Sequence, residues 1–462
     1  MNNMSFKDLI SGYNFQVPIL NGEKVRYVNF DNAASTPPFT KVINKVNEFT
    51  DIYSSVHRGN GFKSILSTKV YEETRNVIGD LLGVDLLTNA VIYVKNATEA
   101  INKLASTYNF NSGDIVLCTR MEHHSNDLPW RSKATVKYVE VKENGELDIC
   151  QLEALFKMYN GKIKLVTVTG ASNVTGYINP IHEIARLAHK AGAKIMVDGS
   201  QLVPHREIDI KDDVDIEHID FLVFTAHKIY SPFGIGVLIG PREFFNNAEP
   251  EMSGGGTVKI VTDDEVFWEE TPEKNEAGTP NIIGAVALAS SIKFIQTLGI
   301  SNIEKNENVL VEYLLTKLIV IKGIRIYGCL DADINRRVGV IAFNIDGVSH
   351  DLVASILSYE YGIGVRSGCF CAHPYVLRLL NVDKHEISDY KEQVLKGDKT
   401  RLPGLVRISF GIYNTIDDIN RLLVAIDNIS KGKYFSDYLL NNKKGMYIPK
   451  NWTYDYKSSF DL

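Results

Sequence analysis

The chain has 462 residues, 44% of them hydrophobic, which is ample for a large buried core. A core tends to split between two domains once a chain passes roughly 250–300 residues. Lys and Arg number 50 against 56 Asp and Glu, a formal net charge of −6; this leaves no electrostatic footprint for nucleic acid or an anionic membrane and makes small-molecule chemistry the default.

The first 25 residues read as an N-terminal arm. They open on MNNMSFKDLISGYNF, which is polar, broken by Gly12 and without the apolar stretch of a signal peptide. No apolar run elsewhere approaches a membrane span, so the expected location is the cytoplasm. Strands then alternate with helical patterns. AVIYV at 90–94 is a short buried strand, and NATEAI at 96–101 starts a helix. Strands follow at 114–119 and 164–168, the latter leading into a loop at 170–180. Residues 180–188 have helical spacing with Pro180 in the first turn. Further strands are expected at 194–198, 221–224 and 236–240. This alternation predicts an α/β domain over 26–295 with a mainly parallel, seven-stranded type of sheet.

After about residue 285 a helical pattern runs through SSIKFI at 290–295, and the register then changes to fewer strands and longer helices. A strand is expected at 338–345, a helix at 350–361 and a strand at 405–410. Thr415 and Asp418 have capping-box spacing ahead of a helix at 419–426. Residues 296–462 are therefore read as a smaller C-terminal α+β domain. The polar stretch between Asp383 and Arg401 reads as a surface loop, and the role of 434–462 is not legible.

The five cysteines are Cys118, Cys150, Cys329, Cys369 and Cys371. An odd number at low density, with no C-x-x-C pair, fits a reducing compartment rather than a disulfide framework. Cys118 reads as a buried strand cysteine. Cys150 and Cys329 have no obvious chemical neighbours.

Several residues carry chemistry. Lys228 ends TAHK, between a buried strand and the glycine-rich SPFGIG. It reads either as a turn lysine or as a Schiff-base lysine tuned by its surroundings. Asp198 closes a strand at the edge where open α/β sheets bind ligands, and an acid there suits the pyridine nitrogen of pyridoxal phosphate. Asn96, Ala97 and Thr98 open a helix after a strand, which suits a phosphate or a simple N-cap. The adjacent His123 and His124 favour ring stacking or proton handling over a metal. Arg407, inside an apolar strand, suits a substrate carboxylate or a buried ion pair with Asp or Glu. RSGCFCAHP at 366–374 offers three readings: a metal site of Cys369, Cys371 and His373, inert loop residues, or a nucleophilic cysteine beside a basic group. The third suits a loop this polar.

The ordered set DGSQ at 198–201, TAHK at 225–228 and AGTPN at 277–281 resembles the class V, fold-type I pyridoxal-phosphate (PLP) enzymes. Within them it is similar to the cysteine desulfurase and selenocysteine lyase branch, especially the group II (SufS-like) form. The resemblance runs from DNAA at 31–34 to YNT at 413–415. It implies that Lys228 binds the cofactor, Asp198 pairs with the pyridinium nitrogen and His123 stacks on the ring. It further implies that Ala97, Thr98, Thr225 and His227 hold the phosphate, with Thr279 contributed across a homodimer interface, and that Gln201 meets the phenolic oxygen. Asn173 and Arg407 would take the substrate carboxylate, with Arg366 beside them. Cys371, five residues after Arg366, would accept the sulfur of a small amino-acid substrate as a persulfide and pass it to a protein acceptor, leaving alanine. A selenocysteine lyase, or a class V lyase, epimerase or aminotransferase with an idle Cys371, uses the same scaffold. The Cys-Phe-Cys order also resembles the molybdenum-cofactor sulfurases. HRG at 57–59 is kept, with divergent residues after it.

Overall fold

In parallel strands covered on both faces, every residue is buried, so such strands read as continuous apolar runs. The computed structural model, which describes residues 6–328, 334–398, 402–441 and 445–461, resolves those runs into two faces. Seven strands form its main sheet: β1 (Asn89–Val94), β2 (Ile115–Thr119), β3 (Thr135–Val139), β4 (Ile163–Thr169), β5 (Lys194–Asp198), β6 (Phe221–Thr225) and β7 (Gly236–Pro241). Their order is β1-β7-β6-β5-β4-β2-β3. The β3/β2/β4/β5/β6 pairs are parallel, and β7 runs antiparallel to both β6 and β1. Ala90, Ile92 and Val94 pack with Leu104 and Phe221 on one face. Val91 and Tyr93 join Leu222, Phe224 and Ile292 on the other.

The topology has a direct consequence for function. Five strand ends, those of β1, β2, β4, β5 and β6, open on one edge of the sheet. The segments leaving them carry Asn96–Thr98, His123, Asn173, Asp198 and Lys228, each within a few residues of the strand end.

The helix Ile282–Leu298 ends at Gly299, whose φ of +81° turns the chain into Ile300–Leu318. The two helix axes differ by 75°, and no single helix among the described residues is long and apolar enough to cross a membrane. Beyond this bend lies a second, antiparallel sheet of β8 (Ile324–Tyr327), β9 (Val340–Ile345), β10 (Arg366–Gly368) and β11 (Leu405–Ser409) in the order β8-β9-β11-β10. Its core joins Phe343, Val406 and Ile408 to Leu310, Val353 and Leu422 from three helices.

Several expectations change. The stretch after Asp383 is a helix, Lys384–Leu395, rather than a loop. Asp383 accepts the Glu386 N–H at 2.9 Å and Glu386 accepts the Asp383 N–H at 3.0 Å, a capping box. None of its residues is buried, and Ile387, Tyr390 and Val394 make only a thin apolar row among charged neighbours. Arg401 and Cys329 lie outside the described residues. Pro180 is the cap of helix Ile181–Lys190, not part of its first turn. The helix expected at 419–426 runs Ile416–Ser430, with the Thr415–Asp418 box in place. β3 was not foreseen: at the sheet edge only Val139 of its residues is buried, so it lacks the continuous apolar run of the inner strands. Val28–Asn29 pairs with Ile363–Gly364, so the chain just after the arm is shared with the C-terminal unit. Both chain ends settle on the helix His350–Tyr361. Leu20 N–H donates to the Tyr359 carbonyl at 2.9 Å, and Ser355 donates to the Tyr447 carbonyl at 2.8 Å.

Candidate active site

The strand ends and the C-terminal sheet enclose a cavity of about 330 Å³ lined by residues of both units. At one end lies the helix Ala97–Thr107. Asn96 caps it by accepting the Glu99 N–H at 3.0 Å, which leaves the Thr98 hydroxyl to meet Ser125 Oγ at 2.7 Å. The helix N-terminus carries partial positive charge and unpaired N–H groups. The hydroxyls of Ser200 and Thr225, both on residues lining this cavity, are buried without a hydrogen-bond partner among the described residues. Buried hydroxyls are normally paired. Orphans beside a helix N-terminus fit a phosphate with several acceptor oxygens, so the residues present suit PLP.

Asp198 is 5% exposed and accepts the Ser200 N–H at 3.0 Å. Lys228 follows β6 in a short helical turn. Among the described residues its amine has no hydrogen bond or ion pair. Withdrawal from water lowers it to about 8, with Asp198 pulling it up and Arg407 pushing it down. A lysine tuned this way reacts as an amine near neutral pH. His123 Nδ1 accepts the Ser125 N–H at 3.1 Å, so the neutral ring carries its proton on Nε2. Burial, and then Lys228, hold His123 down at about 4, and burial does the same to His227. Gln201 Nε2 donates to the Ala33 carbonyl at 2.7 Å, which fixes its side chain in the cavity wall.

At the other end Arg407 is 3% exposed. It donates to the Asn173 carbonyl at 3.0 Å and to Asp31 at 3.0 Å. Arg366 meets the second oxygen of Asp31 at 2.9 Å. The buried ion pair that Arg407 could have made is thus present. One carboxylate faces two guanidiniums, however, and Arg407 Nε is buried without a partner among the described residues. A positive charge is left over for an incoming carboxylate. Asn173 donates to the Phe370 carbonyl at 2.8 Å, and Phe370 lies 4.8 Å under the Arg407 guanidinium.

The two cysteines of the loop have different surroundings. Cys371 is exposed and lines the same cavity as Lys228. It and Phe370 adopt left-handed backbone, with φ of +55° and +52°, a conformation non-glycine residues keep only where their surroundings enforce it. Cys369 is buried, donates to the Pro403 carbonyl at 3.0 Å and opens on a different cavity of about 510 Å³. Burial pushes its thiol up to about 12, so it stays protonated and unreactive. The two sulfurs do not converge on one point, which disfavours the metal reading of this loop.

Of the residues picked from sequence, Ala97, Thr98, His123, Asn173, Asp198, Gln201, Thr225, His227, Lys228, Arg366, Cys371 and Arg407 all line one cavity. Thr279 is exposed and lies outside that lining. Asp31, Ser125, Ser200 and Phe370 were missed as site residues. Asp31 stood inside a noted motif, but its partner Arg407 is 376 residues away, a pairing no local pattern reveals.

The aminotransferase class-V family model matches residues 28–422. A cysteine desulfurase of Haloferax volcanii is 33% identical over 410 residues, 87% of this chain and 88% of that one. Among solved structures, an apo cysteine desulfurase from Thermococcus onnurineus NA1 has a TM-score of 0.78 at 32% identity, covering 88% of this chain and 95% of that one. The Escherichia coli cysteine desulfurase CsdA, in an S-sulfonic acid form, has a TM-score of 0.74 at 28% identity, covering 88% and 96%.

Proposed function

We propose, for a chain that belongs to the aminotransferase class-V family, that it is a PLP-dependent cysteine desulfurase of the group II kind. The observation that carries this reading is a buried lysine of lowered pKa and an exposed cysteine lining one cavity, with spare arginine charge beside them. An aminotransferase needs the lysine and the arginine. It has no use for the thiol.

PLP bound here draws electrons from the substrate α-carbon. Thr98, Ser200, Thr225 and the helix N-terminus would hold its phosphate, Asp198 its pyridine nitrogen, His123 its ring face and Gln201 its phenolic oxygen. Arg407 and Asn173 orient the substrate carboxylate. The Lys228 amine takes the proton from Cα and returns it. The Cys371 thiolate bonds to the substrate sulfur as the Cβ–S bond breaks. The electron pair of that bond passes into the carbon skeleton, protonation there gives alanine, and Cys371 keeps the sulfur as a persulfide. A protein thiol then takes that sulfur. We read the enzyme as a homodimer in which Thr279 reaches the neighbouring phosphate site. We also read it as cytoplasmic, where a free Cys371 stays reduced.

The test is stoichiometry. Protein reconstituted with PLP and given L-cysteine with a thiol reductant releases alanine and sulfide in equal amounts. Pyruvate or keto-acid exchange without sulfide contradicts the reading.

A further inference from the structure

Beside the residues that meet substrate, one pair of side chains ties the nucleophile loop to the cofactor-bearing unit. His124 lies in the segment after β2, and His373 is two residues past Cys371. Their rings are 6° from parallel with centroids 4.9 Å apart. His124 Nε2 lies 3.1 Å from His373 Nδ1 and accepts the His373 backbone N–H at 3.3 Å. The His124 backbone N–H donates to the Cys371 carbonyl at 2.7 Å. His124 therefore holds the chain at the Cys371 carbonyl and again two residues on, just where the backbone leaves its left-handed stretch.

The rest of the helix His373–Leu379 has its own anchors. Tyr375 donates to the Gly145 carbonyl at 2.6 Å, and Arg378 bonds Glu140 at 2.5 and 3.2 Å. Removing the His373 side chain leaves those in place and spares the two backbone hydrogen bonds, so what it takes from the loop is the Nδ1 contact and the stacked ring. The hydrogen bonds also set the tautomers. Two N–H groups aim at His124 Nε2, so that nitrogen is bare and His124 is neutral. Burial lowers both rings and favours that state.

We propose that His373 is a positioning residue: paired with His124, it latches the Cys371 loop onto the cofactor-bearing unit and so sets where the nucleophilic sulfur stands over the cavity. This rests on Cys371 being the nucleophile. A thiol displaced by about 1 Å loses rate rather than binding, because the carboxylate contacts at Arg407 are untouched.

The experiment compares wild type, His373→Ala, His373→Phe and His373→Asn as PLP-loaded proteins, with visible absorbance as the fold control. Persulfide formation on Cys371 and its alkylation by iodoacetamide are both followed. In His373→Ala, kcat falls roughly 10- to 100-fold with KM within about twofold, and alkylation of Cys371 quickens. His373→Asn, whose amide again donates to His124, recovers most of the rate. His373→Phe keeps a ring but no donor and behaves as His373→Ala; if the alanine variant does not fold, His373→Phe against His373→Asn carries the test. Unchanged kcat and alkylation in His373→Ala or His373→Phe, or no recovery in His373→Asn, overturns the latch. A wild type that forms no persulfide on Cys371 fails the underlying reading instead, whatever the variants do.

Discussion

The cofactor corner and the cysteine loop meet across one cavity but are built differently. Asp198, Lys228, His123 and the helix after Asn96 sit at strand ends of the main sheet, where the backbone ladder fixes each position. Cys371 hangs between β10 and a short helix, in left-handed backbone, held through its carbonyl by the His124 backbone N–H and through the Phe370 carbonyl by the Asn173 side chain. Groups that must present a constant field to one bound cofactor belong on rigid elements. A group that must take sulfur from one molecule and hand it to another belongs on a loop.

That contrast can be broken at either end. Lys228→Ala is the largest break: turnover falls by roughly 10²–10⁴-fold or more, and borohydride no longer fixes PLP to the protein. Retained covalent PLP would remove Lys228 from its role. Cys371→Ala breaks only the loop side. The protein keeps its colour and loses persulfide formation, while Cys369→Ala stays within several-fold of wild type, because its buried thiol is not called on. If Cys369→Ala is the dead variant, the two thiols have been assigned in the wrong order. Arg407→Ala raises KM by about 10- to 150-fold, the loss of about 1.5–3 kcal/mol for hydrogen bonds to a charged group, with kcat changed less. Steady-state kinetics decide this, and an unchanged KM takes Arg407 off the substrate. The smallest effect sharpens the cofactor side. The Lys228 amine must be neutral to react with the aldehyde, and its folded value of about 8 lies below the ordinary 10.5. Reconstitution of the stripped protein with PLP therefore quickens as pH rises through about 8 and levels off above it. A rate still climbing toward 10.5 means that the lysine is not depressed.

The same contrast explains what could be read from sequence. Strand-end residues are legible because a buried strand announces itself and the chemistry follows within a few residues: Asp198 closes its strand, and Lys228 comes three residues after Thr225. Twelve of the thirteen chosen side chains share the cavity, and most of them leave the strand ends of the main sheet. The loop side was half legible. Cys371 was visible, but the sequence left Cys369 as its rival. Burial, the bond to Pro403 and the separate cavities they line tell them apart. Asp31 and the His124–His373 pair depend on contacts between distant segments. Helix Lys384–Leu395 was passed over because charged residues outnumber its apolar ones and none of its side chains is buried.

The most direct test of the account is where the sulfur goes. PLP-loaded protein is incubated with L-cysteine, alkylated, digested and fragmented in a mass spectrometer while alanine is measured alongside. The account predicts one added sulfur on Cys371, none on Cys369, and alanine formed with it. Sulfur on Cys369, or alanine released with no sulfur on either thiol, contradicts it.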